Sequence, residues 1–129
     1  MKIHTIFFLS EFVLGGAGNS IYKLCKNLPK KNYQISIICV KKCYYKKLFR
    51  KEGIDVYEIN AKRAFFAFFK IKKLLSKLIS KNYKSNIFLS NINYSNVLTI
   101  LFLRSLKLKI CLIERTPFQE LNIYYNKID

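Results

Sequence analysis

The sequence predicts an α/β fold, a Rossmann-like and mostly parallel sheet with helices on both faces. Three observations predict it. Short runs of apolar and β-branched residues alternate with longer stretches at helical spacing, the order that builds parallel sheets through right-handed crossovers. The first run, IHTIFFLS, is nearly continuous in apolar residues, as strands buried on both faces are. The connections have ordinary length, without internal repeat or low-complexity linker, so one domain, or part of one, accounts for the chain.

Strand one spans Ile3 to Ser10. Gly15, Gly16 and Gly18 follow, and Asn19 or Ser20 can cap a helix that places Ile21, Leu24, Cys25 and Leu28 at core-facing spacing. Pro29 and the lysines after it stop that helix. Tyr33 to Val40 is β-branched and apolar, a second strand, and KKCYYKKLFRKEG is a polar connection with at most one helical turn. Ile54 to Asn60 alternates apolar and polar residues, which suits a strand nearer the sheet edge. A helix is expected from Arg63 to Lys84, with Ala64, Ala67, Phe68, Ile71, Leu74, Leu75, Leu78 and Ile79 as its core stripe. Phe65, Phe66 and Phe69 widen that stripe. A short strand at Asn86 to Ser90, a buried helix at Tyr94 to Leu106 and a strand at Lys109 to Glu114 complete the alternation. A turn at Pro117 and a short helix end the chain.

The 129 residues suffice for a core without disulfide or metal staples. A content of 51% hydrophobic and 16% aromatic residues argues against disorder. The net charge of +17 suggests an anionic partner: nucleic acid, a phosphorylated substrate or an acidic membrane surface. The abundance of Lys, Asn, Ile, Phe and Tyr has a second source in AT-rich codons. Arginine, the better residue for bidentate phosphate and base recognition, is confined to Arg50, Arg63, Arg104 and Arg115. Cys25, Cys39, Cys43 and Cys111 form no C-x-x-C pair and His4 is the only histidine, so no metal site is expected. Cys25, Cys39 and Cys111 fall on apolar faces and read as reduced core residues of a cytoplasmic protein. Glu11 interrupts the first apolar run, which favours a buried strand there over a secretion leader, and no stretch approaches a membrane span.

Ligands of open α/β sheets bind beyond the carboxyl ends of the strands, at the topological switch point. EFVLGGAG, KKC after strand two, AKR after strand three, NINYSN and ERTP should lie on that edge, with the glycine loop facing the last two across the crevice. Gly15, Gly16 and Gly18 permit close approach of backbone to a ligand at a helix N-terminus, or form a plain turn. GGAG is neither G-x-G-x-x-G nor a P-loop, and strand two ends in lysines where dinucleotide binding wants an acid. Glu114, Arg115 and Thr116 lie where a strand gives way to a Pro turn. They could orient a hydroxyl or phosphate, or form a local ion pair. Ser90 and Asn91 are polar groups at the neighbouring strand end, and Asn93 suits a helix cap. His4 lies far from that edge without a nearby acid or nucleophile and reads as structural; no Ser–His–Asp set can be built. Lys70, Lys72, Lys73 and Lys77, flanked by Phe65 and Phe69, can lie on an anionic bilayer, or simply solvate the outer face of a helix covering the sheet.

Taken in order, MKIHTIFFLSEFVLGGAGNSIYKLCKNL, YQISIICV, GIDVYEIN, NIFLSNINYSNVLTI and KICLIERTPFQEL resemble the N-terminal, acceptor-binding half of a family 4 (group 1) glycosyltransferase of the two-domain GT-B architecture. In that family the first strand runs into a Gly-Gly loop and a helix often ending LAKxL, the place filled here by Leu24, Cys25, Lys26, Asn27 and Leu28. The resemblance implies transfer of a sugar from a nucleotide-sugar to a glycan or lipid-linked acceptor in polysaccharide or lipopolysaccharide synthesis. It implies no metal, and a cytoplasmic location at the inner membrane face. It puts Gly15 and Gly16 at the interdomain cleft. Many members carry a cleft histidine after the fifth strand, where this chain has Arg115. The resemblance also implies a C-terminal domain holding most nucleotide-sugar contacts. These residues do not include it, and no catalytic residue is assigned among them. The expectation is an incomplete N-terminal domain that does not transfer sugar alone, and a UDP- or GDP-sugar donor only together with that second domain or a separate donor-binding chain.

Two other readings stay open. One is a free-standing module that docks to an anionic membrane or a partner chain, as in split glycosyltransferases. The other is a nucleic-acid-binding domain. Scarce arginine and the lack of RNP-like, helix-turn-helix or zinc motifs count against it, so no nucleic-acid partner is expected.

Overall fold

Ile3–Leu9 form strand β1, and all but its first residue are buried. The computed structural model describes residues 1–9, 16–91, 99 and 103–113. After β1 come α1 (Gly16–Asn27), β2 (Tyr33–Cys39), α2 (Lys46–Lys51), β3 (Asp55–Glu58), α3 (Ala64–Leu78), β4 (Ser85–Asn91) and β5 (Lys109–Ile113). The five strands form one sheet in the order β3-β2-β1-β4-β5, and every pairing is parallel. This is a Rossmann-like α/β fold. β1 sits at its centre, in register with β2 from Ile3↔Tyr33 to Leu9↔Cys39 and with β4 from Ile3↔Ser85 to Phe8↔Ser90.

The period-2 alternation of β1 divides the core in two. Phe7 and Leu9 join Ile21 and Cys25 of α1, Ile35 and Ile37 of β2, and Phe49 of α2. Ile6 and Phe8 face the other way, onto Ala67, Phe68, Ile71 and Leu75 of α3, with Phe88 of β4 and Leu103. There Phe8 meets Phe68 edge-on at 5.3 Å and Phe88 stacked at 5.7 Å. α1 and α2 therefore cover one face and α3 the other, as right-handed crossovers require when the chain turns back from β3 to β4.

Several expectations need correction. α1 begins at Gly16, with φ at +43°, rather than at an Asn19 or Ser20 cap. Ser20 Oγ instead donates back to the Gly16 carbonyl at 3.1 Å from within the helix. Leu24 is 50% exposed, because the buried stripe is turned toward Tyr22, whose ring packs on Tyr45 at 5.6 Å and Phe49 at 5.5 Å. α3 stops at Leu78, short of Lys84. The Ser80 carbonyl and hydroxyl capture Asn86 Nδ2 and the Asn82 N–H, each at 3.1 Å, and side-chain bonds of this kind end helices. Phe66 and Phe69 do not widen the core stripe but are 60% and 57% exposed, since they lie across the helix axis from Phe68 and Ile71. Cys111 is exposed because β5 is an outer strand, paired with β4 alone.

The connection after β2 holds more structure than its composition suggests. α2 ends in a Schellman arrangement: the Gly53 N–H bonds the Arg50 carbonyl and the Ile54 N–H bonds the Phe49 carbonyl, both at 3.0 Å. Gly53 takes φ of +75°, where a Cβ is strained, and Ile54 packs in the same cluster as Phe49. β3 is a shorter strand than expected because Ile54 closes this cap and Asn60 turns to φ of 57°. It is the edge strand that its alternation predicts. Of the expected helix at Tyr94 to Leu106, Thr99 and Leu103 are helical and most of the rest lies outside the described residues, as do the Pro117 turn and the helix after it.

Urea denaturation should rank three substitutions. Phe49→Ala should cost about 3–5 kcal/mol, Gly53→Ala about 1–2 kcal/mol through its left-handed backbone, and Leu24→Ala no more than about 0.5 kcal/mol. Equal costs for Phe49→Ala and Leu24→Ala would contradict this packing.

Candidate functional site

Strand order reverses between β1 and β4, so the crevice beyond their carboxyl ends is where a parallel sheet of this kind takes ligands. Leu9 ends β1 and Asn91 ends β4. Asn91 is fully buried, and its Nδ2 donates to the Phe8 carbonyl at 3.3 Å and the Leu89 carbonyl at 3.4 Å. That side chain stitches β4 to β1 at the switch point, while its Oδ1 has no hydrogen-bond partner among the described residues. Ser90, also fully buried, accepts a 3.0 Å hydrogen bond from Thr99 Oγ1, which ties the strand end to the helical residue that follows. In this state neither side chain presents a group to solvent.

Gly16 opens α1 at positive φ, and a Cβ placed on it would meet nothing within 4 Å. Packing therefore does not demand glycine there. The backbone conformation favours it, and among the described residues nothing fills the space where a side chain would start. Gly18 lies in the first turn of α1 and is buried, inside the helix rather than at its opening. Gly15, Glu114, Arg115 and Thr116 lie outside the described residues. Of the candidates, the structure thus brings Gly16, Gly18, Ser90 and Asn91 to the carboxyl edge.

A second cluster forms on that edge around the KKC loop expected there, although none of its residues was a site candidate. Lys42, Cys43, Tyr44, Lys46, Lys47 and Glu58 line a cavity of about 450 Å³. Glu58, at the end of β3, accepts from Lys46 Nζ at 2.6 Å and from the Cys43 N–H at 3.0 Å. These two bonds, Lys46 first, hold its carboxyl below its ordinary value of 4.5. The cue was the β-strand ending in Glu58 opposite a KKCYYKK loop, but only the fold shows that the two meet.

The amino edge carries another cavity, of about 370 Å³, lined by His4, Ser36, Asp55, Lys77 and Tyr83 among others. His4 Nε2 and Ser36 Oγ are 2.8 Å apart and both residues are 2% exposed, so the histidine does have a hydroxyl neighbour. Burial lowers the His4 pKa below 6.5, against the opposing pull of Asn86, the Leu78 backbone and Asp55. No well-formed hydrogen bond joins its Nδ1 to the Asn86 amide. The ring bridges β1 and β2, and the expectation of no nearby acid or nucleophile needs correction, since Ser36 and Asp55 line the same cavity.

The outward face of α3 gathers Phe66, Phe69, Lys70, Lys73 and Lys77, all exposed, with exposed Lys72 on its flank. Phe65 belongs to α3, but its side chain lies outside what the structure describes. Among the described residues no helix is long and apolar enough to cross a membrane, and no group of His, Cys, Asp and Glu could hold a metal ion. No protein-family model, curated protein or solved structure is similar enough to this chain to match it.

Glu58→Gln should cost about 1 kcal/mol at about pH 7, the scale of a half-buried charge-assisted pair. The native carboxyl binds its proton more weakly than the unfolded one. The advantage over the Gln variant is therefore complete above 4.5 and fades as pH falls through the lowered native value. Urea midpoints of both proteins at about pH 7 and about pH 3 measure it. A cost that stays the same at both would contradict the assignment.

Proposed function

We propose that this chain is the acceptor-binding half of a GT-B glycosyltransferase, working with a donor-binding domain or chain to pass a sugar from a nucleotide-sugar to a glycan or lipid-linked acceptor. The observation that carries the reading is the parallel β3-β2-β1-β4-β5 sheet with its switch point between β1 and β4, where Gly16 opens α1 at positive φ. A half of this kind needs an edge that admits a substrate close to backbone, and this edge supports that need. The ordered sequence resemblance supplies the reaction class.

In this reading the chain binds acceptor and leaves most donor contacts to its counterpart. Calorimetry with a water-soluble, short-chain polyprenyl-diphosphate sugar should detect binding, and UDP- and GDP-sugars should bind at least about tenfold more weakly. Tighter binding of a nucleotide-sugar, or no binding of either, would contradict it.

The outward face of α3 favours a second reading, a module that lies on an anionic membrane. Lys70, Lys73 and Lys77 project beside Phe66 and Phe69, which are 60% and 57% exposed, and basic residues with neighbouring aromatics suit that surface. Co-sedimentation with vesicles containing anionic lipid should weaken by about 1 kcal/mol, roughly fivefold, per lysine replaced by glutamine at these positions. Equal binding to neutral vesicles would remove this reading.

A further inference from the structure

Lys42, Lys46 and Lys47 come from the segment after β2 and share with Glu58, which ends β3, a cavity of about 450 Å³. That volume lies within the roughly 300–1,000 Å³ of small-molecule sites, and the carboxyl ends of parallel strands are where such sheets take ligands. Glu58 is fixed from two sides: Oε1 accepts from Lys46 Nζ at 2.6 Å and Oε2 from the Cys43 N–H at 3.0 Å. An ionised carboxylate can accept about four hydrogen bonds, and the Glu58 side chain keeps 17% of its surface exposed, so it has capacity left for a ligand hydroxyl. Lys46 is matched by Glu58. Lys42 and Lys47 are exposed and form no ion pair among the described residues. Lys42 Nζ lies 5.0 Å from the centroid of the Tyr44 ring, which is half exposed and lines the same cavity. The cavity thus combines an excess of positive charge, a fixed acceptor and an aromatic wall.

We propose that this cavity binds a sugar phosphate, with the phosphomonoester held by Lys42 and Lys47 and a sugar hydroxyl hydrogen-bonded to Glu58. A phosphomonoester carries a charge of about −1.5 to −2 near neutral pH, which the two unpaired lysines match. Lysine binds phosphate as a point charge on a flexible stem, so the exposed ammonium groups can close on the ligand. Glu58 needs no reorganisation, because two protein donors already hold it, and such preorganisation favours binding. A sugar without phosphate leaves the lysines unmatched. A bare phosphate makes no use of Glu58 and meets its negative charge. The cavity therefore prefers the two groups on one molecule. The proposal does not rest on the glycosyltransferase reading. The cavity lies at β2 and β3, away from the β1–β4 switch point, and a diphosphate esterified at both ends, as in a nucleotide-sugar, has no monoester to offer it.

The test is titration of the isotopically labelled 129-residue chain with glucose 6-phosphate, ribose 5-phosphate, inorganic phosphate and glucose, followed through amide chemical shifts at low salt. At least one sugar phosphate should bind about tenfold or more tightly than inorganic phosphate or glucose, and should shift the amides of Cys43, Tyr44 and Glu58. Replacing Lys42 and Lys47 together by glutamine should weaken it at least about fivefold. Both are exposed, so the fold should tolerate the change. Lys23→Gln with Lys26→Gln, exposed on α1 and equal in net charge, should leave the affinity unchanged. Glu58→Gln should bring the sugar phosphate and inorganic phosphate to within about threefold of each other, since the charge-assisted hydroxyl contact is lost. Equal affinity of the native chain for inorganic phosphate and both sugar phosphates, equal weakening by the two double substitutions, shifts centred away from Cys43 and Glu58, or no binding would each overturn the proposal.

Discussion

β1 is hydrogen-bonded along both edges while its side chains feed two separate cores, and that double demand organises the molecule. A strand so placed has no solvated face, so its residues are apolar nearly throughout, and the alternation within them decides what lies above and below. Ile6 and Phe8 call for the apolar stripe of α3, and Phe7 and Leu9 for those of α1 and α2. His4 Nε2 meets Ser36 Oγ across to β2 at 2.8 Å. Apolar burial contributes about 25 cal/mol per Å², and the largest fully buried side chains, Phe8, Phe49, Phe68 and Phe88, are divided between these two layers. A polar substitution at Phe8 would strike the sheet, α3 and the Phe88 contact together.

The same centrality places the candidate site. Because β1 has β2 on one side and β4 on the other, the chain must cross back over the sheet once, and the crossing leaves a gap at the carboxyl edge between β1 and β4. Asn91 spans that gap by bonding the Phe8 carbonyl, which fixes the floor of the crevice with a side chain rather than with another strand. Gly16 meets it from the α1 side. Among the described residues, exposed lysines gather on the outer face of α3 and around Glu58.

Much of this architecture was legible in the sequence because strand burial leaves a strong mark. The continuous run of β1 identified a two-faced strand, the apolar stripe at Ala67, Phe68, Ile71 and Leu75 identified α3, and the alternation of β3 marked an edge. What stayed hidden depended on contacts between distant segments. α2 occupies a lysine-rich stretch, and its one fully buried residue, Phe49, carries no period. The Gly53–Ile54 pair was the readable cue, since glycine followed by an apolar residue is how many helices end. The exposure of Leu24, Phe66 and Phe69 turned on which part of an apolar arc met the sheet, a rotation that spacing alone does not fix. The place of Gly16, Ser90 and Asn91 on the carboxyl edge was legible from the order of strands and helices. The Lys46–Glu58 pair was not, because it joins the β2–α2 segment to β3 only after folding.

The central claim is that the β1–β4 carboxyl edge receives the acceptor. Amide chemical shifts of the isotopically labelled chain, followed while the short-chain polyprenyl-diphosphate sugar is added, test it most directly. The account predicts that the perturbed amides cluster at Gly16, Gly18, Ser90 and Asn91, with His4, Ser36 and Tyr83 at the opposite edge unmoved. Perturbation centred on the His4 edge, or none anywhere in the sheet, would contradict it.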